Sequence, residues 1–227
     1  RMGMALRQVH RGARVEEAQL ESGFDSPSGF REAWARMFGD APRSAAKSHT
    51  CLYAERIETP LGIMVAIADD EGLRLLEFAD RRALEREIGT LRTRLGASIA
   101  PGEHRYLTQI REELAAYFAG DRLEFHTPLV PIGSDFQLRT WDALRTIPIA
   151  ETRSYSWMAD ELKIPGARRA VGRANGTNML CIVIPCHRVI RADGTLCGYG
   201  GGLWRKRWLL EHERKFSRGS EPGAKAI

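Results

Sequence analysis

Residues 181–190 read CIVIPCHRVI, and the meaning of the rest of the chain turns on that run. Three β-branched residues, Ile182, Val183 and Ile184, form a β-rich stretch leading into Pro185. The proline's fixed φ and missing N–H end any ladder just before Cys186 and His187. A thiol attacks only as its thiolate, and a neighbouring imidazole can take the proton, directly or through a water. Such a base needs a third group to hold its tautomer. Glu213, in the late run LLEHE (209–213), is a carboxylate suited to that task. By itself a buried cysteine is usually a small hydrophobe, so the surroundings decide.

Upstream, Phe136, Trp141, Leu144 and Ile147 keep helical spacing over 134–146. Then come SYSWMADELKI (154–164), a Pro165-Gly166 break and ARRAVGRANG (167–176), a helix-turn-helix-like stretch. In its second helix Ala167, Ala170, Gly172, Ala174 and Gly176 are small, so a large partner's backbone can come close. Arg168, Arg169 and Arg173 supply positive charge. Small residues also suit tight internal packing; together with three arginines they favour phosphate and groove.

In this order, Phe136, Ser154 and Tyr155, Arg169 to Val171, Asn178, IPCHRVI (184–190), Gly198 and Tyr199, and the WLLEHE end (208–213) resemble the O6-alkylguanine-DNA alkyltransferases. The resemblance implies an irreversible, single-turnover reaction: Cys186 takes the alkyl group from guanine O6, and possibly from thymine O4, as a thioether. His187 would be the water-mediated base and Glu213 its orienter, with Asn178 bracing the turn that carries the cysteine. Arg169 would fill the stack left by a flipped-out base. Tyr155 would donate to guanine N3, Tyr199 would wall the pocket, and backbone groups of Val189 and Gly200 would read the guanine edge. Arg168, Ala170, Gly172 and Arg173 complete the expected DNA face, which the family inserts in the minor groove. Met179 and Cys181 depart from the family's usual Pro and Pro-or-small residues, which leaves pocket breadth open. Cys181 is a candidate second thiol, although apolar surroundings would raise its pKa.

Ahead of this region, residues 50–131 read as a small α+β support domain of ribonuclease H-like type. They combine β-rich stretches over 56–67 and 73–78, a turn at 69–72, and amphipathic helices near 81–95 and 103–119. Nothing in them looks catalytic. Residues 14–40 read as two helices around a turn at Gly23, with Ser26-Pro27 opening the second. The first carries Val15, Ala18, Gln19 and Leu20; the second carries the stripe Phe30, Ala33, Trp34, Met37 and Phe38. The run GFDSPSGFREAWARMFGDAP (23–42) resembles the second helix-turn-helix of AraC-type activators. That places Ser28, Arg31, Glu32 and Arg36 on a face able to meet a major groove, or leaves the pair merely packed on its neighbours. An AraC-like piece ahead of an alkyltransferase resembles the Ada-type adaptive-response proteins. Their cysteine-rich zinc sensor is not seen here, so phosphotriester sensing is not expected. The chain starts at Arg1 and reads as part of a longer polypeptide.

The expected fold is therefore α/β (α+β): a helical piece at 1–46, the support domain at 50–131, a mainly helical winged-helix-like alkyltransferase domain at 132–215 and a flexible tail at 216–227. Composition agrees with a globular chain, since 43% of the 227 residues are hydrophobic and 8% aromatic. No run is long and apolar enough for a membrane span, and a cytoplasmic monomer is expected. Cys51, Cys181, Cys186 and Cys197 fit neither a disulfide framework nor a common zinc pattern, so reduced thiols, no metal and no cofactor are expected. The net charge of +5 conceals an uneven spread: residues 1–49 carry +2, 50–131 carry −4 and 132–227 carry +7. A basic final third points to a polyanion, here double-stranded DNA containing O6-alkylguanine. Two other functions stay open: an Ada-like DNA-binding transcriptional regulator with residual or no repair, and a redox-sensing thiol protein.

Overall fold

A computed structural model of the chain describes residues 5, 8–9, 13–38 and 50–217, without the side chains of 35–38 and 50. The N-terminal pair is α1 (Val15–Glu21) and α2 (Pro27–Phe38). Ser26 Oγ accepts from Gly29 N at 3.1 Å and so satisfies a free N–H of the first turn of α2. Phe30 and Trp34 are buried with Ala18, but Leu20 is 72% exposed and takes no part in that core. At seven residues α1 turns Leu20 away from α2, which leaves Ala18 and Gln19 inward. Arg36, Met37, Phe38, the linker expected at 41–49 and the tail from 218 fall outside the described residues or side chains.

Next come β1 (Thr50–Thr59), β2 (Gly62–Ala68), β3 (Leu73–Phe78), α3 (Leu84–Leu95), β4 (Ala97–Pro101) and α4 (Arg105–Ala119). The stretch expected to be β-rich over 56–67 is two strands, folded back at Pro60 and Leu61. Thr59 Oγ1 donates to Gly62 O at 2.6 Å and accepts from Leu61 N at 3.2 Å, which closes the turn. The sheet runs β3-β2-β1-β4, with β4 parallel to β1 and the remaining pairs antiparallel. Side chains alternate between its faces. Ile67 and Leu75 are paired and pack with Leu91 of α3, whereas Ala66 and Leu76 join Leu107, Ile110 and Leu114 of α4. Each buried Leu or Ile contributes about 1.5–3 kcal/mol. β4 escaped the sequence reading because ASIAP is short and ends in proline; its pairing with β1 creates the strand.

The C-terminal half holds α5 (Asp135–Arg145), β5 (Arg153–Ser154), α6 (Tyr155–Glu161), α7 (Arg168–Asn175), a 3-10 turn (Cys186–Arg188), β6 (Val189–Ile190) and α8 (Leu203–Ser217). The start of the expected tail, residues 216 and 217, is the end of α8. Ile182, Val183 and Ile184 are not a strand. The edge of β3 captures the chain just before them, with Leu76 N donating to Met179 O at 2.8 Å and Cys181 N donating to Leu76 O at 2.9 Å. The chain then coils, with Ile184 N on Leu180 O and Cys186 N on Ile184 O. Ile182 sits at φ 71, a left-handed conformation that costs a β-branched residue about 1–3 kcal/mol. Among the described residues no helix is long and apolar enough to cross a membrane.

Candidate active site

Cys186 lies at the start of the 3-10 turn, 5% exposed, and His187 beside it is fully buried. His187 Nε2 meets Glu213 Oε1 at 2.8 Å. That contact assigns the Nε2–H tautomer to the neutral ring and leaves Nδ1, which makes no hydrogen bond among the described residues, as the proton-accepting nitrogen. Burial pushes the His187 pKa below its ordinary value, outweighing Glu213, so the ring is neutral near pH 7. Burial pushes the Cys186 thiol up to about 11, against a contact from Asn178 that lowers it. A thiol of that kind needs a base, and the neutral imidazole is one.

Glu213 anchors a network larger than a triad. Arg188 donates to both of its oxygens at 2.9 Å and to Ile147 O at 2.7 Å, Tyr117 OH donates at 3.2 Å, and Ala150 N donates at 3.2 Å. Burial raises the Glu213 pKa, but His187 and the permanently charged Arg188 outweigh it and hold the carboxyl well below its usual range. Of these partners only His187 was expected. Arg188 stands in the quoted motif without an assigned role, and Tyr117 belongs to α4, in the segment expected to carry nothing catalytic. A sheet-side helix therefore touches the site. An acid at i+7 from Lys206 and i+4 from Leu209 on one face of α8 was the available signal that both charges turn inward.

Asn178 spans the coil that presents the cysteine. Its Nδ2 donates to Ile184 O at 3.0 Å and its Oδ1 accepts from Leu180 N at 3.0 Å. Asn178→Ala leaves both groups buried and unpaired, so about 2 kcal/mol of stability should vanish, read as a thermal midpoint lower by about 4–8 °C. A midpoint unchanged from wild type would remove the bracing role.

The parallel pairing of β5 with β6 sets Ser154 opposite Ile190 and so carries Tyr155 alongside Val189. Asn175 ties the two sides together, its Nδ2 lying 3.5 Å from Tyr155 OH and 3.4 Å from Cys186 O. Burial, with Cys197 next, raises the Tyr155 pKa, so its hydroxyl remains a donor. Tyr199 is half-buried with its OH fully enclosed, and burial followed by Cys181 and Cys186 raises its pKa. Gly200 is exposed beside Arg81, whose guanidinium would be 2.6 Å from any Cβ there. Lys206, fully buried, donates to Val189 O at 2.5 Å and Cys197 O at 2.7 Å, strapping the loop that bears Tyr199 to the start of α8. On the outside, Arg168, Arg169, Ala170 and Arg173 of α7 are exposed while Gly172 lies against the Tyr155 ring. Trp141 Nε1 holds the inner side of α7 by donating to Ala174 O at 2.9 Å.

The four cysteines are free. Burial, with Glu77 next, drives the Cys181 thiol well up, which makes it a poor nucleophile. Among the described residues there is no group of three or more His, Cys, Asp and Glu able to hold a metal ion.

A ribonuclease-like sheet domain leading into a helix-turn-helix with a buried, base-paired thiol defines a class of two-part cysteine proteins. Two family models match the chain: the ribonuclease-like domain of 6-O-methylguanine DNA methyltransferase over residues 52–131 and its DNA binding domain over residues 135–215. A methylated-DNA–protein-cysteine methyltransferase of Mycolicibacterium paratuberculosis is 44% identical over 164 residues, 72% of this chain and 93% of that relative. One of Salmonella typhimurium is 40% identical over 173 residues, 71% and 95% of the two chains. The crystal structure of Mycobacterium tuberculosis OGT in complex with DNA is 41% identical with a TM-score of 0.62, covering 74% of this chain and 94% of that one. The chain belongs to the 6-O-methylguanine DNA methyltransferase family. Residues 1–51, which include α1 and α2, lie outside both family models.

Proposed function

We propose that the protein repairs double-stranded DNA by moving the methyl or other alkyl group of O6-alkylguanine onto Cys186, once per molecule. The observation that carries the reading is the buried Cys186 beside His187 held on Glu213, under the exposed arginine face of α7. In the reaction the Cys186 proton passes to His187, directly or through a water. The Sγ–carbon bond forms as the carbon–O6 bond breaks, and the released electron pair stays on the guanine. Tyr155 donates to guanine N3 as that charge grows. Arg169 fills the stack left by the flipped nucleotide, since a base inside a duplex cannot reach the thiol. Arg168 and Arg173 neutralise phosphates, while Ala170 and Gly172 let the backbone approach. Tyr199, with the backbone of Val189 and Gly200, bounds and reads the base. A thioether is stable, so the protein is consumed. The substrate and the free thiols agree with a cytoplasmic setting.

A duplex with one methyl-labelled O6-methylguanine tests the proposal: the label should move to Cys186 at one equivalent, and no transfer would overturn it. Its pH profile follows from the site. His187 must be neutral to accept a proton, and burial lowers its pKa, so the single-turnover rate should hold through neutral pH and fall only below about 6.5. Rate measurements from about pH 5 to about pH 9 check this; a rate rising steadily toward the thiol's own value near 11 would exclude His187 as the base.

A second reading rests on α2, whose Ser28, Arg31 and Glu32 are exposed while Phe30 and Trp34 face inward. We propose that this face makes a sequence-dependent DNA contact of the AraC type, which would add a regulatory role. Arg31→Glu in the full chain should abolish any promoter preference and leave methyl transfer intact; equal binding to all sequences by wild type would dismiss it.

A further inference from the structure

A groove of about 420 Å³ opens between the sheet domain and the C-terminal half, beside the alkyl site but distinct from it. Arg82 and Arg86 line one side, Trp204 and Arg205 the other, and Gly176 and Gly201 form part of its floor. The indole is presented in an unusual way. Arg205 is buried and bidentate on Asp80, both N–O distances being 2.9 Å, and it donates to Leu61 O and Gly201 O. Its guanidinium lies 4.7 Å from the Trp204 ring centroid. Trp204 therefore rests on a fixed cation while remaining 57% exposed. A large aromatic held in place and left in water is a platform for a planar group.

The charge of the groove points the same way. Arg82 and Arg86 are exposed and form no ion pair among the described residues. The lining acid, Asp80, is already neutralised by Arg205. The other lining arginine, Arg81, is held by Glu77 and Glu87. The excess is thus two free guanidinium groups facing a rigid indole. Continuity settles the occupant: Gly176 is the C-cap of α7, and Gly201 adjoins the loop bearing Tyr199 and Gly200. A strand lying along the arginines of α7 and delivering a nucleotide to that loop would pass this groove next.

We propose that the groove is a second DNA contact, in which Arg82 and Arg86 take backbone phosphates flanking the target nucleotide and Trp204 stacks on a base or sugar of the same strand. It extends the footprint from the helix-turn-helix to the sheet domain. The proposal rests on the DNA-repair reading, but its test requires no chemistry.

Binding of the full-length protein to a fluorescent, unmodified duplex should be measured by anisotropy at several salt concentrations. Arg82→Gln combined with Arg86→Gln should lower the slope of log affinity against log salt by about 2, one per phosphate released. Trp204→Ala should weaken binding about ten-fold. Trp204→Phe should restore most of that loss and Trp204→Leu should not, because stacking requires a ring; a folding defect would not be rescued by phenylalanine. Affinity and slope unchanged in the Arg82/Arg86 variant, or Trp204→Leu binding as well as wild type, would overturn the proposal. Wild type that binds duplex by this pattern yet transfers no methyl would instead sink the repair reading and leave the groove standing.

Discussion

Cys186→Ala should abolish methyl transfer while the fold and DNA binding survive. The acceptor is one sulfur atom, and alanine offers no lone pair to form the new bond, so the expected transfer is below detection at any time or protein concentration. The substitution removes a single heavy atom from a nearly closed site. Its stability penalty is therefore small, about 1 kcal/mol, and duplex affinity should stay within a few-fold of wild type. Cys186→Ser is the sharper control, because the hydroxyl keeps the shape and loses the acidity and softness on which His187 relies. Mass spectrometry of protein incubated with the lesion duplex reads the outcome. A methyl group retained by Cys186→Ala would move the acceptor elsewhere, with Cys181 and Cys197 the first positions to inspect.

Glu213→Gln carries the second large effect, and it acts on rate and stability together. The carboxylate accepts from His187, twice from Arg188, and from Tyr117 and Ala150, all at 2.8–3.2 Å. A carboxamide of the same size puts an NH₂ where donors converge and leaves the Arg188 charge buried without its counter-ion. Breaking a buried pair in this way costs about 3–5 kcal/mol. For a chain of this length that lowers the thermal midpoint by about 6–20 °C. With its orienter gone His187 loses its tautomer preference, and the transfer rate should fall about 10²–10⁴-fold. The pH dependence has a definite sign. The folded carboxyl titrates below its ordinary value of 4.5, so its stabilisation is present above that value and disappears as pH falls below it. Acid unfolding of wild type should show that extra slope, and Glu213→Gln should lack it. A variant as stable and as fast as wild type would mean that Arg188 and His187 are satisfied without the carboxylate.

Most of the helices were readable because each carries its own amphipathic stripe and stop signals. Asp135–Arg145 opens on the Ser134 capping box and Arg105–Ala119 ends at Gly120 with φ +83, signals that lie within a few residues of the sequence. The run 182–184 misled for a physical reason. Its β-branched residues favour extended backbone, but the hydrogen bonds of Leu76 with Met179 and Cys181 fasten the chain sideways to β3, and Ile182 is forced to positive φ. Local preference was overridden by a contact about a hundred positions away in sequence. The strand Ala97–Pro101 was hidden for the complementary reason: it exists only as a partner for β1.

Sequence alone determined the chemistry of this protein: a thiol after a proline, an imidazole beside it, a carboxylate on the last long helix and a small-residue helix with three arginines. Those are properties of residue type and order, and type sets nucleophilicity, basicity and charge. Only the tertiary structure decided how the groups are held. It brought Tyr117 from the sheet domain and Arg188 onto one carboxylate, sent the cation of Lys206 inward to strap the pocket loop, and left Trp204 outside on Arg205. Partner choice among charged and polar groups depends on which of them burial places within about 3 Å, where desolvation makes an unpaired group too costly to keep, and no short-range pattern encodes that distance.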